Sequence, residues 1–246
     1  MFEIGRVCYG SMNYRLNGPD SDKDYKVFLC PDFNDLYTNK KVEKNDLPAN
    51  IYDREHFSPM DVRTFAKNLV SGNVNCTEYL FSMEQNGRSD FFDFLEEARQ
   101  LYSDGYVMVC WDKFFASVEG LVKNSLDRNG ENRKSVTRAY YFQMLVMTLL
   151  ADNFKMDTHT WRNNGWNKDL QRMRFDEECW MPTREQIETT FAYLKETCKA
   201  SVERFKKYNP EGFENLQKRG ETLEEKMKAM VARFIYEEVG EDYYNA

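Results

Sequence analysis

In GSMNYRLNGPDSDKDYKVF, residues 10–28, two carboxylates one residue apart, Asp22 and Asp24, enter the alternating apolar run that reaches Phe28. On an extended strand, side chains at i and i+2 point to the same face, so the two carboxylates converge while Lys23 turns away. Carboxylates held this way suit a hard divalent cation such as Mg²⁺ or Mn²⁺, with triphosphate oxygens completing its shell. Gly10-Ser11 precede them at a strand-to-helix junction, where backbone N–H groups and a hydroxyl can hold phosphates. An isolated Asp-x-Asp in an acidic chain reads as readily as a solvated turn. Which of the two readings applies depends on the context: strand, Gly-Ser, loop, Ser21-Asp22, Asp24, apolar strand.

Outward from this segment, IGRVCY (residues 4–9) alternates as a half-buried strand does, and a short helix or turn is expected after Gly10-Ser11. NGPDSD is a cluster of turn formers. DYKVFLC reads as a second strand, with Tyr25, Val27 and Leu29 on one side and Lys26 and Phe28 on the other. REHFS (54–58) is expected to be a third strand ended by Pro59, and MDVRTFAKNLV (60–70) a helix with Val62, Phe65, Ala66 and Leu69 on its apolar face. From about residue 88 the patterning is helical. SDFFDFLEEARQLY opens on a Ser-Asp capping signal, KSVTRAYYFQMLVMTLLADNF has a broad apolar face, and TREQIETTFAYLKETCKASVERFKKY and ETLEEKMKAMVARFIYEEVG are charged amphipathic helices. No repeat of 20 to 50 residues is present. WRNNGWNKDLQRMRF (161–175), with two tryptophans and four basic residues, is expected to be an irregular surface loop.

A chain of 246 residues with 41% hydrophobic content can bury a real core, and a net charge of −7 restricts any nucleic-acid contact to a local basic face. No stretch approaches the ~20 apolar residues of a membrane span. Six scattered cysteines without a CxxC pair are expected to be reduced thiols in a soluble, cytoplasmic protein, and two histidines make a structural zinc site improbable.

The segment closely resembles the predicted nucleotidyltransferases of bacteria and large phages, in the DNA polymerase β superfamily, where Gly-Ser-x-x-Tyr-Gly precedes Ser-Asp-x-Asp. A second block, DVRTFAKNLVSGNVNCTEYLFS (61–82), is similar to that family's Asp-hydrophobic-Arg helix, Gly-Asn-x-Asn turn and Glu-x-Leu-Phe-Ser segment. Asp61, Arg63, Asn73, Asn75 and Glu78 carry this second match. Their structural reading is that the asparagines cap or turn the chain and Glu78 pairs with Arg63. The resemblance covers the first 82 residues. It implies an α+β fold: a nucleotidyltransferase-like small mixed sheet with helices over residues 1–90, then a mainly helical domain over 91–246, the two meeting over the nucleotide. A chain of the phage type would work in the host cytoplasm.

The implied activity is Mg²⁺- or Mn²⁺-dependent transfer of a nucleoside monophosphate from a nucleoside triphosphate to an acceptor, which could be an RNA end, a protein or a small molecule. Asp22 and Asp24 would be catalytic and metal-binding; Gly10, Ser11, Arg15 and Ser21 would bind the nucleotide. Lys134 and Arg138, on one helix face with Tyr141, are further candidates for phosphate contact. Two departures stand out. Arg15 replaces the family's second Gly. The third catalytic carboxylate, aligned without gaps, is Ser58, so that Glu55, or failing it Asp53, would have to supply it from a shared strand face. His56 reads as a strand side chain near the site, and His159 has no visible role. Two other readings remain open: a nucleotide-binding module without turnover, and an RNA-repair accessory that stacks bases on Trp161 and Trp166.

Overall fold

The computed structural model describes residues 1–43, 46–47, 55–128, 132–162 and 166–245. Strands β1 (Phe2–Tyr9) and β2 (Lys23–Cys30) pair antiparallel, β3 (Glu55–Asp61) joins β2 in parallel, and β4 (Gln85–Gly87) pairs antiparallel with β1. The result is a mixed four-stranded sheet in the order β3-β2-β1-β4. Its two-residue alternation sorts the side chains. Val7 and Phe28 point into the core, and Phe28 packs against Phe65, Tyr79 and Phe91. On the other face Tyr25 stacks on Phe57 at 5.4 Å, and both Lys23 Nζ (3.0 Å) and Tyr25 Oη (2.6 Å) reach Glu84.

β3 does not stop at Pro59, as the sequence suggests, but runs on to Asp61. It is an edge strand, where a residue without an N–H can be accommodated. The helix that follows, counted here as α2 (Val62–Val70) after the short α1 (Phe33–Tyr37), therefore begins later than Met60; the Asp61 side chain caps it by accepting from the Arg63 N–H at 2.8 Å. Asp61 also pairs with the Arg63 guanidinium, so Glu78 is not that arginine's partner. Asn73 caps α3 (Val74–Leu80) by accepting from the Asn75 and Cys76 N–H groups.

The helical remainder comprises α4 (Ser89–Ser103), a 3₁₀ turn (Tyr106–Met108), α5 (Trp111–Arg128), α6 (Arg133–Ala151), α7 (Thr158–Arg162), α8 (Asn167–Phe175), α9 (Arg184–Tyr208) and α10 (Pro210–Asn245). Ser89 and Asp90 are the first two residues of α4 and not its cap: the N-cap position is Arg88, without a side-chain capping bond. Thr183 does cap α9, in a reciprocal box with Gln186. One apolar core runs from Val7 and Phe28 through Phe65 and Phe142 to Phe234. α10 returns to the sheet side of the molecule, with Arg88 over the Phe234 ring at 4.1 Å, Lys226 bonded to Glu97 and Arg219 to Asp104.

The stretch read as an irregular loop is largely α7 and α8. Trp161 is fully buried, 6.2 Å from Tyr14 and nearly parallel to it, with Tyr141 donating its hydroxyl hydrogen to the Trp161 carbonyl. It is a core side chain and cannot serve as a base-stacking platform; Trp166 is partly exposed. All six cysteines are free thiols. No helix among the described residues is long and apolar enough to cross a membrane.

Candidate functional site

The sheet register aligns the site in two rows. Tyr9 lies opposite Asp24, which lies beside His56; Val7 lies opposite Lys26, which lies beside Ser58. These residues share one sheet face, and beyond the end of the core Tyr9, Asp24 and Lys26 line a cleft of about 400 Å³ between the sheet, α3, α5, α6 and α8.

The turn after β1 forms one wall. Its bonds, Tyr14 N–H to Gly10 O (3.0 Å) and Leu16 N–H to Ser11 O (2.8 Å), make an irregular turn and not a helix. Gly10 has φ +77°, in the left-handed region, and a Cβ there would stand 3.4 Å from Asp24 Oδ2, so the turn lies directly against that carboxylate. What holds it is Glu78. This carboxylate is 1% exposed and accepts from the Gly10 N–H (2.6 Å), the Tyr14 hydroxyl (2.5 Å) and, at 3.5 Å, the Asn13 amide. Burial raises the Glu78 pKa to about 7, against the pull of those three donors toward the ionised form. The Gly10 N–H is thus committed inward and is not available to a phosphate, which corrects the role expected of it. Ser11 lines the cleft.

Asp22 lies just before β2, near enough for its charge to act on Asp24. His56 Nε2 lies 3.3 Å from Asp22 Oδ2, and Asp24 feels the charges of both. Burial first, then the neighbouring Asp22 charge, raises the Asp24 pKa; His56, Lys134 and Arg138 oppose the rise. Across the cleft stand Lys134 and Arg138 from α6 and Arg174 from α8, with Lys26 beside Asp24. None of these four cations forms a salt bridge within the described residues, whereas Lys23, Arg63, Arg184 and Lys226 do. Burial holds Lys26 and Arg174 below their ordinary pKa values.

Other expected participants lie elsewhere. Glu55 is the register partner of Lys23, on the face opposite Asp24, because one residue separates it from His56 and the side-chain period is two. It does not share the face of Asp22 and Asp24. Asp53 lies outside the described residues. Ser58 does occupy the cleft face, with its hydroxyl 3.2 Å from that of Tyr9. The Ser21 hydroxyl accepts from the Gly18 N–H at 2.8 Å and so shapes the loop. Tyr141 is buried and stacks on Tyr14 at 4.4 Å.

Arg15 is exposed and is not among the residues lining the cleft; its carbonyl accepts from Gln171 on α8 at 3.0 Å. Its φ of +57° explains why glycine suits the position. Arg15→Gly removes that backbone cost at the expense of unfolded-chain entropy, and a net gain of roughly 0.5–1 kcal/mol is expected by urea denaturation. A net loss would show that the guanidinium contributes more than its backbone costs.

The donor set suits at most one cation that arrives with its own phosphate oxygens, since Asp24 lines the cleft and Asp22 is near enough for its charge to act on Asp24. It does not suit a second, because the neighbouring face positions hold Ser58 and Lys26. Among the described residues no three metal-ligating side chains are clustered. Sequence reasoning missed Lys26 and Arg174 as members of the site. The first was legible, since Asp22, Asp24 and Lys26 follow one alternation; the second depends on α8 docking onto the loop before β2, where Phe175 packs at Gly18. Comparison with protein-family models, curated proteins and solved structures finds no match to this chain.

Proposed function

We propose that the chain is a nucleotidyltransferase-like protein that binds a nucleoside triphosphate with Mg²⁺ or Mn²⁺ and transfers its nucleoside monophosphate to an acceptor. The observation that carries this reading is one cleft in which Asp24 stands among four basic side chains that form no ion pair among the described residues. A triphosphate with a divalent cation has the complementary distribution: anionic oxygens for Lys26, Lys134, Arg138 and Arg174, and a cation for the two aspartates. The bound cation would supply charge neutralisation of the phosphates. The protein's own residues would do the rest: the Gly10–Arg15 turn, fixed by Glu78, shapes the phosphate pocket, and the α6 arginine and lysine orient the chain of phosphates. The arrangement of sheet and helices is read as nucleotidyltransferase-like on the same grounds.

Asp22→Asn combined with Asp24→Asn is expected to abolish Mg²⁺-dependent binding of ATP, GTP, CTP and UTP while leaving the fold intact, as followed by calorimetric titration and thermal unfolding. Unchanged affinity in that variant would overturn the reading. Transfer itself is tested by incubating the protein with each labelled triphosphate, Mg²⁺ or Mn²⁺ and a lysate containing RNA and protein, and asking which polymer becomes labelled. A second reading, nucleotide binding without turnover, is favoured by one observation: Ser58, in register with Lys26, brings no carboxylate to that sheet face, while Glu55 lies on the other. It predicts triphosphate binding with no labelled product.

A further inference from the structure

We propose that Lys26 is the site's second cation, a fixed ammonium that binds a phosphate oxygen beside Asp24 where a two-cation site would hold a second metal ion. The inference rests on the triphosphate reading above and identifies a group that reading did not require.

Three observations lead to it. Lys26 follows Asp22 and Asp24 in the same alternation, so its side chain leaves the sheet on the cleft face, in register with Ser58. Its ammonium is half-buried, lines the cleft 5.3 Å from the Tyr9 ring centroid, and forms neither a hydrogen bond nor an ion pair within the described residues. Cys76, Asp24 and Glu78 are the groups that favour its charged form. A cation withdrawn from water without a partner is costly, and an anion entering the cleft relieves that cost.

The third observation is the identity of its neighbour. A carboxylate at position 58 would sit beside Lys26 on the adjacent strand and pair with it, cancelling the charge. Ser58 is neutral, and its hydroxyl is engaged with Tyr9 instead, so position 58 offers the ammonium no counter-charge. Serine at 58 and lysine at 26 thus form one arrangement, in register on neighbouring strands. Glu78 does not quench Lys26 by direct pairing either, since its oxygens take the Gly10, Tyr14 and Asn13 donors.

A fixed cation binds phosphate whether or not divalent metal is present, and this separates Lys26 from the aspartates. Inorganic triphosphate, which has the phosphate charges and no base, is the probe, titrated by calorimetry in EDTA and again in Mg²⁺. Wild-type protein is expected to bind it in both. Lys26→Met should lose at least about tenfold in affinity in EDTA, and Lys26→Arg, which keeps the charge, should stay within about threefold of wild type. The Asp22→Asn, Asp24→Asn variant should lose only the Mg²⁺-dependent increment. Lys26→Met binding as tightly as wild type in EDTA, with an unchanged unfolding curve, overturns the proposal, as does wild-type protein that binds only in Mg²⁺. If wild-type protein binds in neither buffer, the triphosphate reading itself has failed, a result distinct from both.

Discussion

Glu78→Ala is expected to destabilise the protein by roughly 3–4 kcal/mol, because it strands buried donors that each cost about 1–3 kcal/mol when unsatisfied. The Gly10 N–H and Tyr14 hydroxyl are the two tight donors, and neither has another acceptor among the described residues. For a chain of this size that loss corresponds to a fall of about 10 °C in Tm, measured by thermal unfolding. Glu78→Gln keeps the shape and separates the charge from the bonds. With its pKa raised from 4.5 to about 7 by burial, Glu78 holds a proton in the folded protein that it has lost in the unfolded chain. The stability tied to that proton is complete below pH 4.5 and disappears as pH rises through 7. Wild-type protein should therefore lose about 2 kcal/mol relative to Glu78→Gln between pH 5 and pH 8. A constant difference across that range would mean that the three donors outweigh burial and keep Glu78 ionised throughout.

The same residue shows where sequence reading stops. That Val62, Phe65, Ala66 and Leu69 are buried and that Asn73 caps a helix follow from a period of 3.6 and from local hydrogen bonding, and the structure has them so. The partner of Glu78 does not follow, since Gly10 is 68 residues away in sequence and only the packing of α3 on β1 joins them. Arg63 was a reasonable alternative by proximity, and Asp61 won it because a helix cap two residues away is closer still. Glu55 failed for a stricter reason. A parallel register that pairs Lys23 with Glu55 sends both to the far face, and no sequence pattern sets that register independently of the β2–β3 pairing. Trp161 likewise lies in a polar, asparagine-rich stretch whose composition suggests a loop, yet stacking over Tyr14 and Tyr141 outweighs that local preference.

Ser58→Asp alone is expected to change nucleotide binding little or to weaken it, whereas Ser58→Asp combined with Lys26→Ala should admit a second divalent cation. The difference follows from the register. Asp at 58 would lie beside Lys26, and two opposite charges adjacent on neighbouring strands pair before either meets a ligand. Removing the lysine frees the new carboxylate to join Asp22 and Asp24 around a cation. Mn²⁺ binding followed by electron paramagnetic resonance, with a saturating nucleoside triphosphate, should then give two bound ions per nucleotide in the double variant against one in wild type. The consequence for transfer is larger than for binding. An ammonium can neutralise a phosphate oxygen, but it lowers the pKa of an attacking hydroxyl far less than direct coordination to a metal does. Wild-type transfer is accordingly expected to be slow, and the double variant faster by on the order of tenfold or more, each tenfold corresponding to about 1.4 kcal/mol of barrier. The Tyr9 hydroxyl, now bonded to Ser58, would face the new carboxylate and could donate to it, so Tyr9→Phe in the double variant serves as a control for placement of the third ligand. Two bound Mn²⁺ in wild-type protein, or fast transfer that is insensitive to both substitutions, would show that the second cation is held by residues other than those on the β2–β3 face.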